Sequence, residues 1–190
     1  MPVKKDLPAN FVLRIELQHS DPLIWRTIVV PSTISLVKLH QAIQYAMGWW
    51  NGHLHEFEID GIRYGMIDPE WDLDPELEDE KRKRLNKVLG TRKTFTYLYD
   101  YGDSWLHKIK VQKVIPTLEP MKFIFCAEGE NACPPEDIGG LHGYYYFLDV
   151  INDPKHDEYE DMRNWIGQDN FDPAFFDEQQ VNRLLQKIKI

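Results

Sequence analysis

Along residues 11–18 (FVLRIELQ) apolar and polar side chains alternate with period two, the pattern of a strand with one buried face. His19–Pro22 supplies turn chemistry, and Ile24–Val30 reads as a second strand ended by Pro31, so an antiparallel hairpin is expected. The period then changes. Leu36, Leu39, Ile43 and Met47 recur at three- and four-residue intervals on one helical face. Ser35 can cap that helix, and Gly48 stands where a left-handed C-terminal residue belongs. His53–Ile59 reads as a third strand, turned by Asp60 and Gly61 into a short fourth around Ile62–Tyr64.

From Asp68 to Glu80 the chain is acidic, and from Lys81 to Lys87 it is basic. With Asp74 and Pro75 as cap and first turn, this gradient suits a helix dipole and predicts a surface helix from about 75 to 89, closed by Gly90. Thr94–Tyr99 and Trp105–Ile115 are expected strands joined by the tight Asp100–Ser104 turn, and Phe123–Cys126 is a seventh. Ala127–Gly143 reads as loop, and helices are expected over about 143–152, 156–166 and 177–189, with Pro154, Gly167 and Pro173 as punctuation. Strands first and helices last define the α+β class. The expected architecture is one domain over residues 1–190, with a mixed or mainly antiparallel sheet of about six to seven strands, flanking helices and a helical C-terminal part. Its N-terminal portion is β-grasp-like in its order of hairpin, helix and strand, and residues 1–10 are expected to be a flexible lead-in.

Composition narrows the partners. The 190 residues are 43% apolar and 13% aromatic, enough to fill a core and to exclude intrinsic disorder. A net charge of −9 repels nucleic-acid phosphate and anionic membrane surfaces. The basic run Lys81–Arg84 is short and flanked by acid, so it reads as a solvated face. No stretch approaches the roughly 20 apolar residues of a membrane span, and the N-terminus lacks the apolar core of a secretory signal. Two cysteines make no disulfide framework. The expected location is the cytoplasm, and the expected partner is a protein or a small ligand.

Three constellations carry candidate chemistry. In the loop from Cys126 to Asp137, two thiols stand with Glu136, Asp137 and nearby His142, donors that suit a soft divalent metal. Six residues separate Cys126 from Cys133, wider than structural zinc pairs use, and buried thiols in an ordered loop account for the same pattern. His53 and His55, two apart on an expected strand, would share one face and suit metal ligation or proton transfer, or else serve as structural hydrogen-bonders. Asp100 and Asp103 flank Gly102 in a turn ahead of Trp105 and His107, a carboxylate–histidine set for acid–base work that turn chemistry alone also explains. Trp49, Trp105 and Tyr144 add aromatic surface for a ligand, although the run Tyr144–Phe147 spreads around a helix and suits core packing. No phosphate loop, dinucleotide fingerprint or nucleophile elbow is present.

The ordered segments LRIELQHSDPLIWRTIVVP, LHQAIQYAMGWWNGHLHEF, YLYDYGDSWLHKI, CAEGENACPPEDIGGLHGY and FDPAFFD resemble the plasmid pRiA4b ORF-3-like proteins, over about residues 11 to 177. Some members of that family are passengers of insertion elements. The resemblance implies a compact α+β domain and supplies no reaction. Its motif positions here are Trp25, Trp49, His53, His55, Asp100, Gly102, Asp103, Trp105, His107, Cys126, Cys133, Glu136, Asp137, Gly139 and Gly140. Many relatives carry a third cysteine where this chain has Ile138, so a metal site completed by that cysteine would lack a ligand here. Two functions from different classes follow. One is a non-catalytic protein- or ligand-binding module. The other is a metal-dependent hydrolase, a nuclease or phosphoesterase, in which Zn²⁺ or Mn²⁺ held by His53, His55, Asp103, His107 and the Cys126–Asp137 loop activates water.

Overall fold

A computed structural model describes residues 8–67, 74–119, 121–167 and 171–190. The chain runs β1 (Ala9–Leu17), β2 (Trp25–Pro31), α1 (Leu36–Met47), β3 (His55–Ile59), β4 (Ile62–Gly65) and β5 (Leu77–Asp79). It continues through α2 (Leu85–Leu89), β6 (Thr94–Tyr99), β7 (Trp105–Pro116), β8 (Phe125–Glu130), α3 (Gly140–Asn152), α4 (Tyr159–Ile166) and α5 (Glu178–Leu185). The strands form one sheet in the order β5-β4-β3-β6-β7-β1-β2-β8. Among the described residues only β4 and β5 pair in parallel; the other neighbours are antiparallel.

Cross-strand register explains why the sheet has two unlike faces. One row runs Leu17–His107–Tyr97–Phe57–Tyr64 across five strands, and every member is buried. The next row, Glu16–Lys108–Thr96–Glu58–Arg63, points the other way and is polar throughout. An antiparallel sheet with one solvated face alternates in this manner. Helix α1 lies on the apolar face and buries Leu36, Leu39, Ala42, Ile43, Ala46 and Met47 there. Its ends are as the sequence predicts: the Ser35 side chain accepts from the Lys38 amide, and Gly48 is left-handed at φ 97°. Helix α5 packs against both α1 and β8, and α3 packs against α4.

The eighth strand corrects the expected count. Within the expected helix at 75–89, Leu77–Asp79 instead extends the sheet beside β4, Glu80–Arg82 make a single 3₁₀ turn, and only Leu85–Leu89 are α-helical. Phe125–Glu130 is likewise a strand where most of the stretch reads as loop, and it is the edge partner of β2. The hairpin, helix and strand of a β-grasp-like start are present, but β3 joins the sheet beyond β6 and β7 rather than beside the hairpin. Of the expected lead-in, residues 1–7 lie outside the described residues, while Ala9 and Asn10 already belong to β1. No helix among the described residues is long and apolar enough to cross a membrane.

The turn between β6 and β7 meets the start of α3 with almost no space between them. A Cβ at Gly140, where φ is +69°, would lie 2.7 Å from the Asp103 carbonyl oxygen. Gly140→Ala is therefore expected to destabilise the fold by about 1–3 kcal/mol in urea unfolding. Gly52→Ala, with nothing within 4 Å of its Cβ, should shift stability by less than about 0.5 kcal/mol.

Candidate functional site

Three segments meet at one end of the sheet: Trp49–Leu54 after α1, the Asp100–Ser104 turn, and Cys133–Gly139 before α3. Hydrogen bonds between side chains and backbone tie them together. Asp100 accepts from the Gly102 amide through Oδ1 (2.9 Å), and its amide donates to the Leu54 carbonyl (2.9 Å). Asp103 Oδ2 accepts from the Gly139 amide at the start of α3 (3.2 Å), which places a carboxylate at a helix N-terminus. The Trp49 indole donates to the Pro134 carbonyl (3.0 Å). Asn51, Asp100, Ser104 and Asp137 all take left-handed backbone, with φ between 57° and 62°. Non-glycine residues in that region are uncommon, and four of the seven described residues that adopt it gather at this end of the sheet.

Glu136 is fixed from two sides. Its Oε1 accepts from the Tyr99 hydroxyl, and its Oε2 from the Trp50 amide (3.1 Å). The Tyr99 hydroxyl also accepts from the Gly52 amide (3.0 Å). Burial first, and then the Glu136 carboxylate, push the Tyr99 phenol up, so it stays protonated. Beside this group lies a cleft of about 370 Å³ whose lining includes Trp49, Trp50, Pro134, Pro135, Glu136, Asp137, Trp165 and Phe171. Asp137, which also lines the cleft, contacts His53. His53 Nε2 stands 3.0 Å from Asp137 Oδ1 and 3.6 Å from Asp100 Oδ2, and the three ligand atoms lie within 4.8 Å of one another.

A second polar network lies under α1. His40 Nδ1 meets the buried Tyr97 hydroxyl at 2.7 Å, Gln44 donates to the same oxygen at 3.0 Å, and His40 Nε2 bonds the Asn51 side chain. The His40 ring stacks on His55 at 3.4 Å and 4°, and His55 Nε2 reaches Glu80 at 3.1 Å. His40, Asn51, His53, His55 and Glu80 line a separate cavity of about 310 Å³. The His53–Asp137 contact thus joins a residue of this cavity to a residue of the aromatic cleft.

The structure divides the residues that the sequence singles out. His53 and His55 do not share a strand face: β3 begins at His55, which is buried, while His53 lies in the preceding loop and is partly exposed. Of the five acid–base candidates, His53 and Asp100 come together, His55 turns to Glu80, and Asp103 holds α3. His107 is wholly buried in the sheet. Trp105 is buried and stacks on Trp49 at 5.8 Å, and Tyr144 packs edge-on to Phe171. Cys126 and Cys133 are free thiols that burial pushes up, Cys126 to about 11, and both feel the Arg26 guanidinium. Ile138 packs against the core. Sequence reasoning missed His40, Gln44, Trp50, Glu80, Tyr97 and Tyr99. A polar pair inside the apolar stripe of α1, His40 and Gln44, was the available signal.

A strand-rich α+β domain with a cleft at one sheet end is the class these features define. The chain belongs to the plasmid pRiA4b ORF-3-like protein family, whose model matches residues 9–180. It is 37% identical over 180 residues to the uncharacterized protein y4hQ of Sinorhizobium fredii (strain NBRC 101917 / NGR234), covering 93% of this chain and 90% of that protein. It is also similar to the crystal structure of MM3350, a protein of unknown function from Methanosarcina mazei Go1. The TM-score is 0.80 at 35% identity, over 91% of this chain and 97% of that one. Neither protein's name carries an activity.

Two buried histidines give the fold a pH dependence. Burial pushes His107 down to about 4, and burial together with stacked His55 pushes His40 down to about 3. Both return to near 6.5 when the chain unfolds, so the unfolded state binds more protons between those values. Their contribution to stability is full above about pH 6.5 and is lost as pH falls through 4 and then 3. Urea unfolding between pH 7 and 4.5 is expected to show falling stability. In His107→Gln the slope should drop by up to about 1.4 kcal/mol per pH unit, the equivalent of one proton.

Proposed function

We propose that this protein is a non-catalytic binding module whose cleft takes an organic cation, an ammonium or guanidinium group carried by a small molecule or a peptide side chain. The observation that carries this reading is the cleft itself: aromatic and proline walls with one immobilised carboxylate, Glu136, at the rim. Trp50 is 88% exposed there, although a large aromatic side chain gains nothing by facing water. Aromatic faces attract cations, and a few fixed polar groups in an apolar cleft are what orient small ligands. The overall charge of −9 draws cations toward the protein and turns phosphate-bearing partners away.

The hydrolase reading has less support. Of the histidines named for it, only His53 reaches the carboxylates, while His55 is engaged by Glu80 and His107 has no access to solvent. A cytoplasmic location fits the two free thiols, which an oxidising compartment would not preserve.

The test is a titration of the intact protein with Nα-acetylarginine amide and with its neutral isostere Nα-acetylcitrulline amide, followed by tryptophan fluorescence. The arginine compound is expected to give a saturable change, and the citrulline compound none. Trp50→Ala should weaken the affinity about two- to fivefold, the worth of one cation–aromatic contact at an exposed ring. Equal responses to both amides, or an affinity indifferent to Trp50→Ala, would remove the proposal.

A further inference from the structure

We infer that His53, Asp100 and Asp137 form a divalent-cation site, one that does not depend on the cleft's ligand. The three donors are an imidazole nitrogen and two carboxylate oxygens from three separate loops, all within 4.8 Å. That spacing is close to what a metal requires. With bonds of about 2.1 Å, neighbouring ligands on a tetrahedral or octahedral ion lie about 3.0–3.4 Å apart. His53 Nε2 is 3.0 Å from Asp137 Oδ1 and 3.6 Å from Asp100 Oδ2, so both pairs sit close to bonding geometry. A small rotation of Asp137, whose side chain is 72% exposed, closes the remaining gap.

Charge and donor type agree with the spacing. Two carboxylates and a neutral imidazole balance a +2 ion, and the mixed nitrogen–oxygen set favours Zn²⁺ or Mn²⁺ over Ca²⁺, whose ligands are oxygens. Asp100 is already oriented for ligation, because its Oδ1 is occupied by the Gly102 amide and leaves Oδ2 facing His53. Outer hydrogen bonds of this kind align metal-binding carboxylates. Neither cysteine of the Cys126–Asp137 loop belongs to the set. Three protein donors leave at least one coordination position for water or for an oxygen of a ligand. An ion here would tie the Asn51–Leu54 segment, the β6–β7 turn and the Pro134–Gly139 loop into one unit.

Native mass spectrometry of the intact protein, with Zn²⁺ and separately Mn²⁺ and then a strong chelator, tests the site. The expected result is one ion per chain, removed by the chelator, with affinity lowered at least about tenfold in Asp137→Asn and in His53→Gln. Asp137 is exposed enough for its variant to fold, which an unchanged melting temperature in chelator confirms. Glu160→Gln, an exposed acid on α4, and Trp50→Ala should both bind the ion as the parent protein does. The second variant separates this site from the cation-binding cleft. No stoichiometric ion at about 100 μM free metal, or binding that survives both Asp137→Asn and His53→Gln, would overturn the inference.

Discussion

A single buried guanidinium determines where the site can be. Arg26, on the second strand, is 2% exposed, and four backbone carbonyls accept its hydrogen bonds: Ala46 at the end of α1, its neighbour Trp25, Glu130 at the end of β8, and Asn131 beyond it. Phe176, just ahead of α5, covers it at 4.1 Å. Burial lowers the Arg26 pKa, yet a guanidinium keeps its charge in proteins, so the cation must be met by dipoles wherever it sits. The planar fork reaches carbonyls that diverge from one another, which a lysine's compact ammonium does not do. Two of the three chain segments that deliver the site start from these anchors. One leaves α1 through Gly48 to Trp49 and His53; the other leaves β8 toward Pro134, Glu136 and Asp137.

The sheet supplies the floor beneath those segments. Because Tyr97, Tyr99, Trp105 and His107 project from its apolar face near one end, aromatic and polar groups are mixed there in a way that the rest of the core is not. Burying a hydroxyl or an imidazole is costly unless it is hydrogen-bonded, and the Tyr97 hydroxyl has two partners on α1, whereas His107 Nε2 and Trp105 Nε1 are buried without one among the described residues. That network fixes the α1 end and, through Asn51, the backbone that carries His53. Packing and site geometry are therefore one arrangement rather than a scaffold with loops added.

Local signals were legible in the sequence, and pairings between distant residues were not. Ser35, Gly48 and the three- to four-residue apolar spacing are properties of α1 alone, and that helix was read correctly to its ends. Residues 77–79 belong to the sheet only because β4 lies beside them, so no local pattern announces β5, and an acid-to-base gradient fits a helix just as well. β8 was legible only at its start, where the seventh strand expected at Phe123–Cys126 overlaps it, because the rest of this edge strand, AEGE, has little apolar alternation to show. Within the site, His53, Asp100 and Asp137 each stood out by residue type, but in three different constellations. What joins them is convergence of three loops more than 35 residues apart in sequence between successive members. His40 and Gln44 were passed over because they fall within a stripe that reads as helix core.

The adjacency of Glu136 and Asp137 would let one short loop serve both of the positive charges proposed for it. Consecutive residues beyond a stiff Pro134–Pro135 pair have different partners: Glu136 meets Tyr99 and Trp50, while Asp137 meets His53. The prolines restrict φ in the unfolded chain as well, so holding this loop open forfeits less entropy than it would in a glycine-rich segment. Glu136 has both oxygens engaged by donors, which sets its orientation before any ligand arrives. Asp137, largely exposed, keeps the freedom that an ion requires of at least one of its ligands. A fixed carboxylate beside aromatic rings selects a bulky, weakly hydrated cation, whereas a movable one beside an imidazole and a second carboxylate selects a small ion that strips water from oxygen and nitrogen donors. The difference between the two sites thus comes from what surrounds each carboxylate, since the acidic groups themselves are chemically alike.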